Sequence, residues 1–200
     1  MITSNFSSVT IGWVAIATGI AGLLGLAFII LFFTVGQPFG TLNDICIGLT
    51  AILSVVLVWM LYPGHHSQSP LLSQVVLVIA IFGALLVIIG SALAISGVKG
   101  WFLSGLYMAA GNAMIGLWLL GLNYSALRGN PFPQSLVILG LISGVILALG
   151  LVTIPGIFRG IDTQEYELTI FNYMWWASSL GYLTLYPIWC VLLGRFLLKK

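Results

Sequence analysis

Apolar residues run in blocks along this chain, and polar or helix-breaking residues gather in the short gaps between them. Six blocks stand out, at about residues 11–34, 44–62, 71–98, 102–124, 133–154 and 169–198. Each is long enough for an α-helix to cross a bilayer core, which takes about 20 residues. The gaps carry the punctuation, among them "VGQPFG", "PGHHSQSP", "GVKGW" and "SALRGNPFP". Pro70 stands at or just before the first turn of the third block, where a missing N–H costs nothing. These connections are too short to hold a soluble domain. The pattern therefore predicts one polytopic membrane domain over 1–200, an all-α bundle of six transmembrane helices joined by short loops.

Composition strengthens this reading. Hydrophobic residues make up 60% of the chain and charged residues 5%, with a mean hydropathy of +1.18. Soluble domains carry about 25% charged residues, and no water-facing surface can be assembled from so few. "MITSNFSSVT" lacks the basic region of a signal peptide, so the first block is expected to stay in place as a span. A net charge of +2 provides no concentrated basic face for nucleic acid.

Lys and Arg placement orients the spans. Arg128, Arg195, Lys199 and Lys200, with His65 and His66, fall on the side of the termini, and only Lys99 and Arg159 fall opposite. Both termini are thus expected in the cytoplasm, in a bacterial inner membrane, with the C-terminal cations anchored at the anionic leaflet. Cys46 and Cys190 are the only cysteines. This topology separates them by about 30 Å in depth, so no disulfide is expected.

Small residues spaced by four mark where helices could pack closely: Ala17, Ala21 and Gly25, beside Ala15 and Gly19; Gly105, Ala109 and Ala113; Gly140, Gly144 and Ala148. These stripes are read as packing seams, within one chain or between copies. Pro187 frees the carbonyl of Leu183 and predicts a bend in the sixth span. Asn43, Asn112 and Asn172 fall on alternate spans, which raises the idea of three repeated hairpins.

Several chemistries are disfavoured. Neither histidine falls inside a span, where a membrane haem needs its axial ligands. No lysine lies in a span to carry a retinal Schiff base, and no acid lies deep enough for proton- or cation-coupled transport. HExxH, GxSxG and P-loop patterns are absent. With no nucleophile–base or acid–base constellation visible, neither catalysis nor a resident metal or cofactor is expected.

The remaining polar residues are the candidate site. Asn43 and Asp44 open the second span, where Thr41 or Asn43 would cap the helix and Asp44 would sit at its positive end. The functional alternative makes Asp44 a ligand for a cation or headgroup. Asn112 lies nearest the middle of a span, with Ser104, Tyr107 and Gly111 close enough in sequence to line a polar pocket with it. Asp162, Glu165 and Glu167 make the last connection acidic. Asn172, Tyr173, Trp175 and Trp176 follow at the interface, where the aromatic residues form a belt. His65 and His66 read as an exposed turn.

Two functions fit. The first is a non-catalytic scaffold or accessory subunit of a membrane assembly, self-associating or packed on other subunits. The second is a carrier, channel or receptor for a small neutral or lipophilic molecule, lined by Asn112, Tyr107, Tyr182 and Tyr186.

Overall fold

In the computed structural model, which describes residues 6–66, 70–129, 131–163 and 169–199, the long apolar blocks are helices. They are α1 (Ser8–Val35), α2 (Phe39–His66), α3 (Pro70–Ser96) and α4 (Trp101–Gly129). The fifth span is α5 (Gln134–Ala148), a 3-10 segment (Leu149–Thr153) and α6 (Ile154–Arg159). The sixth is α7 (Thr169–Leu183) followed by α8 (Leu185–Leu198). Among the described residues six helices are long and apolar enough to cross a membrane, as in a multi-pass helical membrane protein.

Local chemistry explains where these elements depart from the apolar blocks. The second span begins at Phe39 rather than residue 44, because the turn Gly36–Gln37–Pro38 already redirects the chain. Gly36 takes φ 98, a conformation suited to glycine, and Gln37 Oε1 accepts from the N–H of Thr41 at 3.4 Å. The same helix runs through Pro63 to His66 instead of stopping at residue 62. In the fifth span Pro155 has no N–H to give the carbonyl of Leu151, and the N–H of Ile154 takes that carbonyl in a tighter turn. In the sixth, the chain breaks at Thr184 (φ −122, ψ −73), one turn before Pro187. That is the bend Pro187 predicts.

Each span packs against its neighbours in sequence, and the sixth returns to the first, so the bundle closes on itself. Backbones meet at paired glycines. A Cβ on Gly12 would stand 3.1 Å from the Gly194 carbonyl oxygen, one on Gly83 2.6 Å from that of Gly111, and one on Gly116 2.9 Å from that of Gly144. Gly105 meets Trp175, the Ala109 carbonyl meets Gly150, Gly140 meets Asn123 and Gly144 meets Gly116 and Leu120, so the stripes of α4 and α5 lie in seams inside one chain. On α1 the working stripe is Gly12, Ala15, Gly19 and Gly22, facing α8. Ala17 points outward, which corrects the spacing-by-four reading for that helix. A 3–4 alternation keeps a contact face straighter than strict fours do.

Candidate functional site

Asn43 and Asp44 lie one turn inside α2, neither in its first turn, and so they do not cap it. Asn43 is 5% exposed. Its Nδ2 donates to Asp44 Oδ1 at 3.3 Å. Its own Oδ1 is buried with no hydrogen-bond partner among the described residues. Opposite it is α1: a Cβ on Gly25 would lie 3.7 Å from that oxygen, 3.4 Å from Cys46 Cβ and 3.3 Å from Leu183 Cδ2. Asp44 is half-buried, and no Lys or Arg pairs with it among the described residues.

Asn112 is 3% exposed in the middle of α4, and its Oδ1 likewise has no partner among the described residues. Contacts on either side fix the direction it faces. The Ala109 carbonyl abuts Gly150 of the 3-10 segment, and Gly116 abuts Gly144 and Leu147 of α5. Residues 109, 112 and 116 share one helical face, so Asn112 looks toward the place where the fifth span changes from α to 3-10. The freed polar groups there are served by others. Ser178 Oγ donates to the Leu147 carbonyl at 2.8 Å, and Thr153 Oγ1 reaches the carbonyls of Gly150 at 2.7 Å and Leu106 at 3.2 Å.

The companions expected around Asn112 go elsewhere. Gly111 meets α3 at Gly83. Ser104 Oγ donates to its own helix, at Gly100 O, 3.0 Å away. Tyr107 packs against a small cluster of Phe102, Leu103, Leu106, Ala109 and Trp175. Tyr182 and Tyr186 turn toward α2, where Tyr182 Oη donates to Ile47 O at 3.5 Å and Tyr186 Oη to Ser54 Oγ at 2.8 Å. Their rings stack at 5.7 Å, and Tyr186 stacks in turn on Trp189 at 6.3 Å. The indole N–H of Trp189 has no acceptor among the described residues.

Sequence reasoning passed over Asn123. It is fully buried on the same face of α4 as Asn112 and donates from Nδ2 to Leu119 O at 2.8 Å, while its Oδ1 has no partner among the described residues. Its amide fills the notch left by Gly140. The spacing Asn112–Gly116–Asn123 against the glycines of α5 was the available signal.

In the connection after α6, Asp162 bridges to another span. Its carboxylate accepts from the N–H groups of Gly100 at 2.8 Å and Leu103 at 3.1 Å, capping α4 from across the loop. Gly160 in a left-handed conformation (φ 63) turns the chain after Arg159 and leads it toward this cap. Glu165 and Glu167 lie outside the described residues. Asn172 is half-buried near the start of α7. Asn43 and Asn172 thus sit near helix starts while Asn112 sits mid-helix, and three equivalent hairpins are not what the chain forms. His66 is half-buried at the end of α2, its Nδ1 3.0 Å from Tyr62 Oη and 3.1 Å from Ser73 Oγ. It ties α2 to α3 rather than standing in an exposed turn.

Both cysteines are free and buried. Among the described residues no three His, Cys, Asp or Glu side chains converge as a metal site would require. Comparison with protein-family models, with curated proteins and with solved structures gives no match.

Proposed function

We propose that this chain is a non-catalytic multi-pass membrane protein, with both termini cytoplasmic, that binds a small neutral molecule carrying N–H or O–H donors inside its bundle. The observation that carries this reading is Asn112, a buried amide oxygen at mid-span with no donor among the described residues. Leaving such a group unpaired costs about 1–3 kcal/mol, and hydrocarbon provides no water to relieve it. Its position also supports the reading. It faces the irregular turn of the fifth span, and the sixth span, itself broken at Thr184, packs on the fifth. Interrupted helices near mid-membrane are where carriers hold their ligands. The glycine stripes, which would recommend a scaffold, are occupied within a single chain.

The test is native mass spectrometry of protein extracted gently from its own membrane, beside the Asn112→Leu variant. A small-molecule mass that accompanies the wild type and is missing from the variant is the expected result. The empty variant should also be the more stable of the two, having shed an unpaired polar group. Wild type and variant that carry the same masses, or none, would sink the reading.

A further inference from the structure

A carboxylate set one turn inside an apolar helix needs a positive partner, and ionisable groups at such depth are rare without one. Asp44 has none among the described residues. Beside it, Asn43 offers a second acceptor, a buried amide oxygen with nothing to accept from among the described residues. The opposite wall is Gly25, and the distances around its missing side chain show a recess about one methyl group wide, bounded by Leu183, Cys46 and Asn43. Negative charge, an empty acceptor and a small recess occur together at the end of the bundle opposite the termini.

We propose that Asp44, Asn43 and the recess at Gly25 form a binding site for a primary ammonium group. The N–H donors would be shared between the Asp44 carboxylate and Asn43 Oδ1. A hard metal ion fits less well. Ca2+ takes about six to eight oxygens and Mg2+ about six, whereas two acceptors suffice to orient an ammonium with three donors. The third donor would remain toward the interface, where half-buried Asp44 opens. The ammonium could belong to a lipid headgroup or to a free amine, since the chemistry that recognises it is the same.

The site is independent of the one at Asn112, which lies on another helix and calls for a neutral ligand, so either can fail alone. The experiment is thermal unfolding of the detergent-purified protein, titrated in parallel with four probes. Ethanolamine and short-chain phosphatidylethanolamine carry N–H donors. Choline and the phosphatidylcholine of equal chain length carry the charge without them. At saturation the primary amines should raise the unfolding temperature by about 5 °C or more, and the methylated probes should not. A response to the lipid alone assigns the headgroup, and a response to ethanolamine as well assigns the free amine. Asp44→Asn should abolish the rise. Should that variant fail to fold, Gly25→Ala serves, because its Cβ meets nothing closer than 3.3 Å yet fills the recess and should remove the response. Equal effects of choline and ethanolamine, a rise that survives either substitution, or no rise with any probe would overturn the proposal.

Discussion

The bundle joins its helices in two different ways. Between α3, α4 and α5, glycines bring backbones into contact, with Gly83 on Gly111 and Gly116 on Gly144. Polar side chains at those seams bond within their own helices, as Ser104 does to Gly100 and Ser143 to Leu139. Between α2 and the sixth span, no Cα pair comes within 8 Å among the described residues. There the gap is bridged by Tyr182 and Tyr186, whose hydroxyls reach Ile47 and Ser54. One side is held by dispersion between close backbones and the other by hydrogen bonds at arm's length. In lipid both are real options, because the hydrophobic drive between helices is absent. The close seam tolerates no added atom, while the wide one has side chains that can adjust.

Gly111→Ala is the severest way to break this contrast. Its Cβ would press on the Gly83 carbonyl oxygen and lie 2.8 Å from the backbone nitrogen of Val87, and neither can swing aside. Overpacking of this kind costs about 3 kcal/mol or more where the neighbours are backbone, a large part of the stability of a typical domain. The expected outcome is a fall in unfolding temperature of about 6 °C or more and loss of monodisperse protein on size exclusion. A variant that behaves like wild type would mean the α3–α4 seam is looser than its glycines imply.

The sequence shows the close seams more readily than the wide one. Gly140 and Gly144 are spaced by four and can be seen without a structure, as can the number of spans and the break announced by Pro187. In the α1 stripe only Ala17 departs, because it continues a run of fours while a real contact face drifts and needs threes as well; Ala15, Gly19, Ala21 and Gly25 are buried. The tyrosine bridge was invisible. Tyr186 and Ser54 are 132 residues apart, and nothing local tells a tyrosine which helix it will reach. The same holds for Asp162, whose role as a cap for α4 depends on two loops meeting. Asx residues favour caps, which points to a helix start at Asn43 and Asp44, but Gln37 and Pro38 start the helix a turn earlier.

The wide side should respond to smaller changes, and asymmetrically. Tyr186 Oη donates to Ser54 Oγ, which donates onward to Thr50 O at 2.7 Å. Tyr186→Phe removes one donor and leaves the Ser54 bond to Thr50 intact, so the cost should be near the average of about 0.6 kcal/mol for such membrane bonds. Ser54→Ala instead leaves a fully buried phenol with only the Cys190 sulfur, a weak acceptor, to donate to, so the cost should lie toward the lower end of about 1–3 kcal/mol. Paired thermal-unfolding measurements should therefore find Ser54→Ala the worse of the two. The reverse order would show that the Cys190 sulfur takes over fully as the acceptor of the tyrosine hydroxyl.

The smallest effect belongs to a glycine that only resembles the others. Gly48 of α2 faces Ser91 of α3, but a Cβ there would stand 3.5 Å from both Cβ and Oγ of Ser91, ordinary contact rather than collision. Gly48→Ala gains up to about 1 kcal/mol of helix propensity, set against slight crowding of a serine hydroxyl that has no hydrogen-bond partner among the described residues. The same chemical change that ruins the fold at Gly111 should leave it unchanged or a little more stable at Gly48. Measured side by side, the two alanine variants ask whether glycine in this bundle acts through close backbone approach or merely through being small. A marked loss at Gly48 would answer that the α2–α3 seam is as tight as the one between α3 and α4.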